Sequence, residues 1–152
     1  MPKLLVFAPC EKVIISQDEN NPTLIAILSS LTLEGDDRVL EQAIADSPDN
    51  ELPMVPIRWA IFSMWLQEPS DGTKEFTQTI DIESPSGKTL VTNRASFAFK
   101  PEANTHRLNV VFSGFPVGER GPYVIRLSLD GRPVAEYPLE LKLRKPETAQ
   151  TK

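Results

Sequence analysis

Residues Leu108 to Leu143, LNVVFSGFPVGERGPYVIRLSLDGRPVAEYPLELKL, carry the clearest structural pattern in this chain. From Tyr123 onward apolar and polar residues alternate, and the alternation resumes after Asp130-Gly131. A period of two over this length is typical of half-buried antiparallel strands, and Asp-Gly between two such runs predicts a hairpin. The residues that this pattern places in the core are Tyr123, Ile125, Leu127, Tyr137, Leu139 and Leu141.

Pro138 lies on the opposite parity of the last predicted strand. Because proline has no amide hydrogen to donate to a neighbouring strand, we expect that strand to lie at a sheet edge or to carry a bulge there. The closing hairpin is therefore predicted to be scaffold.

The rest of the chain repeats the pattern in shorter pieces that polar turns separate. The candidate strands are Cys10–Ser16, Leu24–Leu33, Ile57–Gln67, Phe76–Ile82, Leu90-Val91, Ser96–Lys100 and the segment that opens at Leu108. Leu24–Leu33 begins with apolar residues on both parities, which predicts an element covered on two sides. About eight or nine short strands predict one all-β domain, an antiparallel sandwich over residues 1–143, followed by a disordered tail over 144–152.

The segment from Glu34 to Pro56 interrupts the strand pattern. A short helix is predicted by the spacing of four apolar residues, Val39, Leu40, Ala43 and Ile44. Asp36 or Asp37 would cap it, and the later prolines keep the chain extended. We expect a short helical or irregular insertion near residues 34–56, either as a surface crossover between two sheets or as a segment with a role of its own.

The chain of 152 residues has a net charge of −5 and a pI near 4.9. A nucleic-acid-binding face needs clustered lysines and arginines, and the longest such cluster is Arg144-Lys145. We therefore expect no nucleic acid and no membrane as partner, but a protein with a basic surface or another neutral domain.

Cys10 is the sole cysteine, which excludes an intrachain disulfide and favours a cytoplasmic location. The apolar run after Lys3, LLVFAP, is shorter than a secretory leader requires. The other apolar runs are too short to span a membrane.

Ile57–Gln67 (IRWAIFSMWLQ) is the most apolar candidate strand, and both of its parities are apolar. Trp59 and Trp65 share one parity and lie about 20 Å apart at ~3.3 Å per residue. If that face is open, the indoles would contact a partner or a ligand; if it is covered, they belong to the core. Two apolar faces call for a second cover, from the Val39–Ile44 segment or from a second subunit, so a homo-oligomer is also expected.

The side chains that could carry chemistry do not form a recognisable catalytic or metal-binding pattern. His106, the sole histidine, stands beside Arg107 with no nucleophile motif nearby, and we expect a solvated surface residue. Cys10 is expected to be a small buried hydrophobe. Acidic residues in the predicted loops lack the D-x-D-x-D spacing of a calcium loop: Asp18, Glu19, Asp36, Asp37, Asp49 and Asp71. We therefore predict no catalytic residue, no metal and no cofactor.

Tyr123 follows Gly121 by two residues and begins an inward-facing strand, which resembles the tyrosine-corner strand of immunoglobulin-like sandwiches. The cysteine pair of antibody domains is absent, and Trp59 would take the place of the core tryptophan. The wider order of motifs, over about residues 5 to 143, resembles a small bacterial family of unknown function. The segments that carry this likeness are Cys10 with Val13-Ile14-Ile15, Leu24–Leu28, Ile80–Gly87, Gly121–Leu129 and Val134–Leu139. The resemblance implies an immunoglobulin-like fold and no assigned activity, ligand or catalytic residue.

These observations predict an immunoglobulin-like β-sandwich that acts as a non-catalytic protein-interaction or assembly module. A ligand-binding module for carbohydrate or another small molecule is the alternative, and an enzyme of unknown reaction is the third choice. Recognition is expected at Glu34–Pro56 and at the strand that carries Trp59 and Trp65.

Overall fold

The computed structural model describes residues 1–35, 37–47 and 52–144, which form eleven strands and one helix. In chain order the elements are β1 Lys3–Ile15, β2 Pro22–Ile27, β3 Ser30–Glu34, α1 Asp37–Asp46, β4 Met54–Val55, β5 Trp59–Leu66, β6 Glu75–Glu83, β7 Thr89–Ala98, β8 Thr105–Phe112, β9 Phe115–Pro116, β10 Gly121–Leu129 and β11 Arg132–Arg144.

Two sheets contain all the longer strands. The first sheet has the order β2-β1-β5-β8, and the second has the order β3-β11-β10-β6-β7. β4 and β9 form a separate two-stranded ladder. Every pairing is antiparallel except that of β3 with β11, which is parallel. The predicted all-β, immunoglobulin-like sandwich with a short helix is confirmed, and the parallel pair is a feature that the alternation did not indicate.

The core lies between the facing sides of the two sheets. Along β6 and β10 every second residue is buried, as a period of two predicts. Most of the residues predicted for the core of the closing hairpin are buried: Tyr123, Ile125, Leu127, Leu139 and Leu141. Tyr137 is half-buried, and its ring packs edge-on to Phe7 at 6.4 Å.

β11 has different neighbours along its length. At Pro138 it pairs with Val124 of β10, whereas β3 begins to pair with it only at Glu140. Pro138 therefore lies where the strand has a neighbour on one side only, which its missing amide hydrogen allows. Beyond Glu140 the expectation of an edge strand is wrong, because β3 covers that edge.

The predicted strand Leu24–Leu33 is two strands in different sheets. β2 ends at Ile27, and the Leu28 amide then donates to the Pro9 carbonyl at 2.9 Å before the chain crosses to β3. The expectation that this element is covered on both sides is wrong, because Ile25 is 38% and Ile27 is 59% exposed.

The predicted helix of the 34–56 insertion is α1. Leu40 is buried in the core and Ala43 packs against it, whereas Ile44 is exposed. Past the end of the helix, the Ser47 hydroxyl donates to the Ala43 carbonyl at 2.8 Å. The insertion connects the second sheet to the first, as the crossover alternative predicted. Asp36, residues 48–51 and the tail from 145 lie outside the described residues.

β5 has two apolar faces, as predicted, and each has a cover. Its inner face packs into the core through Trp59, Ile61 and Trp65. On its outer face Phe62 is only 1% exposed, although its neighbours in the adjacent strands are Ala8 and Asn109. Side chains of that size do not hide a phenylalanine ring, so another segment must cover the outer face.

We infer that this cover is the hairpin formed by β1 and β2. Arg107 of β8 pairs with Met64, on the same parity as Phe62, and its guanidinium donates a hydrogen bond to the Asn20 carbonyl in the β1–β2 turn. β2 and β8 are opposite edges of the sheet, so the hairpin bends back across the outer face to make this contact. Leu40 of α1 packs into the core between the sheets, and cover of the outer face by the Val39–Ile44 segment or by a second subunit stays a prediction.

Candidate functional site

The turn at the tip of the bent hairpin is held by its own hydrogen bonds. The Ser16 amide donates to the Asn21 carbonyl at 3.0 Å, and the Ser16 carbonyl accepts from the Asn20 amide at 2.9 Å. The Ser16 hydroxyl accepts from the Glu19 amide at 3.3 Å. Asn20 has a φ of 53°, a backbone conformation that asparagine adopts more readily than most residues. Turn residues of the right type therefore shape the tip of the hairpin.

Four isoleucines of this hairpin are exposed, and we call them together the isoleucine face: Ile14, Ile15, Ile25 and Ile27. In the β1–β2 ladder Ile14 pairs with Thr23, Ile25 with Lys12, and Ile27 with Cys10. Residues paired across a ladder share a side, and so do residues two apart on a regular strand, so Ile14 and Ile25 lie on one side of the hairpin. Ile15 lies on the other parity of β1, and Ala26, with a φ of 53°, interrupts the alternation between Ile25 and Ile27. The exposed fractions are 43% for Ile14, 47% for Ile15, 38% for Ile25 and 59% for Ile27.

An open cleft of about 480 Å³ lies where the hairpin leaves the sheet. It is lined by residues of β1, β5 and β8 and by the residue before β5: Glu11, Lys12, Val13, Arg58, Trp59, Ala60, Asn109 and Val111. Lys12 and Arg58 are exposed, and no ion pair joins either of them to another residue of the described ranges. The cleft thus combines two cations, one carboxylate and an apolar wall.

Trp59 and Trp65 are both buried, at 1% and 0% exposure, and they do not form the open platform that was one of their two expected roles. The Trp59 indole N–H donates to the Gly114 carbonyl at 2.8 Å, and its ring stacks on Phe112 at 4.7 Å. Trp59 also forms part of the cleft wall. Trp65 stacks on Phe97 at 6.1 Å.

A buried polar cluster lies on the inner face of β5, where the two sheets meet. Gln78 Oε1 accepts hydrogen bonds from the Ser63 hydroxyl at 2.6 Å and from the Trp65 indole N–H at 2.9 Å. All three residues are buried, and Gln78 Nε2 has no hydrogen-bond partner among the residues that the structure describes. A buried donor without an acceptor costs free energy, so this amide nitrogen is a weak point of the core.

His106 is not the solvated surface residue that we expected. It is half-buried, and its ring stacks on Phe97 with 4.8 Å between centroids and 12° between planes. Burial lowers the pKa of His106, and the charges of Lys100 and Arg107 lower it further. The imidazole is therefore a packing group that is held in its neutral form.

Cys10 is fully buried, as expected. Burial raises the pKa of its thiol, and the hydrogen bond with the Lys12 backbone offsets this only in part. A thiol with a raised pKa is a poor nucleophile at neutral pH.

Among the acidic residues weighed for calcium, Asp71 is buried and has other partners. Its carboxylate accepts from the Glu68 amide at 2.7 Å and forms an ion pair with the amino group of Met1 at 2.9 Å. In ranges 1–35, 37–47 and 52–144, no three His, Cys, Asp or Glu residues are grouped to hold a metal ion. Asp36 and Asp49 lie outside these ranges.

The strand that begins at Gly121 forms a tyrosine corner. The Tyr123 hydroxyl donates to the carbonyl of Glu119, four residues upstream, and accepts from the Glu119 amide at 3.3 Å. Burial raises the pKa of Tyr123, so the hydroxyl keeps the proton that it donates. Two packed sheets closed by this corner define an immunoglobulin-like β-sandwich domain.

Within that class, the chain belongs to the family of unknown function DUF6941, whose model matches residues 48–142. The matched range begins after α1, so the β1–β2 hairpin and its isoleucine face lie outside it. Among solved structures, the chain is similar to an immunoglobulin-like protein from Pseudomonas aeruginosa, with 12% identity, a TM-score of 0.39 and coverage of 93% of this chain and 97% of that one. No curated protein matches the chain. No helix in the described part of the chain is long and apolar enough to cross a membrane.

Sequence reasoning did not find the isoleucine face or the cleft. Ile25 and Ile27 stood out as apolar, but they were expected to be covered. The signal that pointed to a hairpin was the polar turn over residues 18–22 between two apolar segments. That signal predicts the pairing of two strands, but not the direction in which the hairpin bends.

Proposed function

We propose that this chain is a non-catalytic module that binds another protein through the isoleucine face. The observation that carries the proposal is that the β1–β2 hairpin exposes four isoleucines, of which Ile14 and Ile25 lie on one side. Single exposed apolar residues are ordinary on a protein surface, whereas several on one side of an element are typical of interaction sites. Burial of these side chains by a partner would supply the driving force for binding.

The environments of the reactive side chains support a role without catalysis. His106 stacks on Phe97, and its ring is occupied in packing. The Cys10 thiol is buried and its pKa is raised. Neither group has the exposure and the activated form that a nucleophile or a general base requires.

A second candidate function is the binding of a carbohydrate or another small molecule in the cleft. Its volume of about 480 Å³ is within the range of ligand pockets, and the exposed Val111 provides apolar contact beside the polar Asn109. Titration with simple sugars, followed through the fluorescence of the Trp59 indole, tests this alternative. Trp59→Phe serves as the control that separates this signal from that of Trp65.

Site-specific photo-crosslinking in cells that produce the protein tests the proposed interaction. A benzophenone amino acid at position 25 should give discrete covalent adducts with one or a few proteins. The same amino acid at position 44, which is also an exposed isoleucine but lies on α1, is the matched control. Equal adduct patterns at the two positions would contradict the proposal.

A second copy of the chain is one candidate for the partner. Sedimentation velocity at tens of micromolar protein measures self-association directly, and comparison with Ile25→Ser/Ile27→Ser shows whether the isoleucine face mediates it. A self-associating protein whose association survives this double substitution would assemble through a different surface.

A further inference from the structure

Four buried residues on the outer face of the first sheet form a patch that the β1–β2 hairpin covers. In the β1–β5 ladder Ala8 pairs with Phe62 and Cys10 pairs with Ala60, so all four side chains lie on the same face of the sheet. Their exposed fractions are between 0% and 6%, and Cys10 has the lowest. We call these four residues the outer patch. Movement of the hairpin away from the sheet would expose it to solvent.

The part of the hairpin beyond Cys10 is joined by backbone ladders only to itself. The β1–β5 ladder ends at Cys10, whereas the β1–β2 ladder continues to Ile15, and β2 is the outermost strand of its sheet in the described part of the chain. We call residues 11–27 the strap. At its tip, the Arg107 guanidinium donates a hydrogen bond to the Asn20 carbonyl. This hydrogen bond and side-chain packing therefore hold the strap against the sheet.

The strap joins the sheet at a strained point. The β1–β2 ladder has no residue pair between Glu11 and Ala26, and Ala26 has a φ of 53°. A residue with a Cβ atom adopts this left-handed conformation at a cost in free energy. Just beyond this point the Leu28 amide donates to the Pro9 carbonyl at 2.9 Å, which ties the chain to β1 again. Glu11 and Ala26 therefore lie where the ladder is weakest.

The cleft of about 480 Å³ lies at the same end of the strap. Glu11 and Val13 of the strap line it together with Ala60, Asn109 and Val111 of the sheet. Val111 pairs with Ala60 in the β5–β8 ladder, so both belong to the outer face. The strap and the outer face are thus separated here by open space, and the close packing that would oppose a movement is absent at this end.

We infer that the strap opens about a hinge at Glu11 and Ala26 and thereby exposes the outer patch. Opening breaks the hydrogen bond between Arg107 and Asn20, and it lets Ala26 leave the left-handed region, which offsets part of the cost. Hinges of this kind consist of a few residues that absorb a large change of backbone angle. The inference goes beyond the proposed function and does not depend on it, because the strap opens with or without a partner.

The strap also carries the isoleucine face. A partner that binds the closed and the open strap with different affinities therefore shifts the equilibrium between them. Opening of the strap is in this way a means by which the outer patch and the isoleucine face influence each other.

The rate at which iodoacetamide modifies Cys10 measures the opening, because Cys10 is the sole cysteine and is buried while the strap is closed. The full chain is modified at several low concentrations of urea, and mass spectrometry follows the reaction. The control protein is Cys10→Ser/Ser63→Cys, since Ser63 is also 0% exposed but lies on the core side of β5. Global unfolding exposes both thiols, whereas opening of the strap exposes only Cys10. Urea unfolding of each protein gives the rate that global unfolding alone would allow.

We expect Cys10 to be modified at least about tenfold faster than global unfolding allows, at a rate that low urea hardly changes, because opening of the strap exposes little surface. The thiol of the control protein should react no faster than global unfolding allows. Arg107→Ala should speed modification of Cys10 about tenfold, whereas Arg94→Ala, at an exposed arginine of β7 in the other sheet, should change it less than about twofold. Ala26→Gly should slow it about threefold, because glycine adopts the positive φ of the closed strap without strain.

Three results would overturn the inference. Modification of Cys10 no faster than global unfolding allows, in the unmodified chain and in Arg107→Ala, would show that the strap does not open. Equally fast modification of Cys10 and of the thiol in Cys10→Ser/Ser63→Cys would show that the sheet opens as a whole. Faster modification in Ala26→Gly would contradict the hinge. Photo-crosslinking at position 25 tests the proposed function separately, so either can fail while the other holds.

Discussion

Gln78→Leu is the substitution that tests the junction of the two sheets most sharply. Gln78 Oε1 is the shared acceptor for the Ser63 hydroxyl and the Trp65 indole N–H, and all three residues are buried. Leucine leaves both donors without an acceptor, at ~1–3 kcal/mol each, or ~2–6 kcal/mol together. It also removes the unpaired Nε2 group of Gln78, which returns ~1–3 kcal/mol. We expect the free energy of unfolding to fall by ~1–3 kcal/mol.

A second substitution makes the test depend on the sign of a change in the free energy of unfolding and not on its size. Ser63→Ala in the unmodified chain removes one good hydrogen bond and should cost ~0.5–1.5 kcal/mol. In the Gln78→Leu background the same change removes a donor that has no acceptor, so it should restore ~1 kcal/mol. The effect of Ser63→Ala therefore reverses sign when Gln78 is absent, which is a direct measure of coupling.

Urea unfolding followed by tryptophan fluorescence, for both single variants and the double variant, measures these free energies. Ser96→Ala is the control, because the Ser96 hydroxyl bonds to that of Thr77 on the exposed side of the ladder. Its effect should be the same with and without Gln78→Leu. The reasoning is refuted if Ser63→Ala destabilises the protein equally in both backgrounds, since Gln78 is then not the acceptor that Ser63 depends on.

The remaining predictions concern the tyrosine corner, the buried imidazole and the bent hairpin. Tyr123→Phe should lower the free energy of unfolding by ~1–3 kcal/mol through loss of the bonds to Glu119, whereas Tyr137→Phe, with its half-buried ring, should cost less than ~0.5 kcal/mol in the same urea titration. Burial lowers the pKa of His106 in the folded protein, so the unfolded chain takes up a proton first as the pH falls. The free energy of unfolding should therefore be highest above the pKa of His106 in the unfolded chain. It should decrease as the pH falls toward the pKa of His106 in the folded protein. Unfolding of the chain and of His106→Gln between about pH 8 and pH 5 checks this, and parallel pH profiles would contradict it. Arg107→Ala should speed hydrogen exchange in the β1–β2 turn while leaving β10 and β11 unchanged, and unaltered exchange in the turn would refute the bend of the hairpin.

The strands of the second sheet could be predicted because each shows one buried side. In β6 the residues Phe76, Ile80 and Ile82 are buried on one parity, and the polar Gln78 among them was already visible in the pattern. In β10 the same alternation places Tyr123 inside. One-sided strands carry their orientation in their sequence, because a slip of one residue would expose every buried side chain.

The first sheet was harder to predict because β5 is apolar on both parities. Such a strand must be covered twice, but its sequence does not say by what. Phe62 is hidden under a hairpin that comes from the start of the chain, and the decisive contact joins Arg107 to Asn20, 87 residues apart. A contact of this kind leaves no periodic trace in either segment. The same holds for the parallel pairing of β3 with β11, because no short turn connects these two strands and indicates that they pair.

The candidate site also contains residues whose environment could not be predicted from the sequence. The sequence left two roles open for Trp59 and Trp65, a contact with a partner or a place in the core, because large aromatic residues are frequent in both. Their burial follows from the second sheet, which packs over that side of β5. Ile25 and Ile27 of β2 were expected to be covered, and they are exposed.

The sequence specifies a β-sandwich through local geometry: alternation, turn residues and a tyrosine after a glycine define the strands, the hairpins and the closing corner. It also determined the short helix α1, because the helical period is equally local. Which apolar surface remains open depends on contacts between distant parts of the chain. Burial depends on what lies across from a side chain, and for Phe62 and Ile25 that is set by the bend of a hairpin that joins distant parts of the chain.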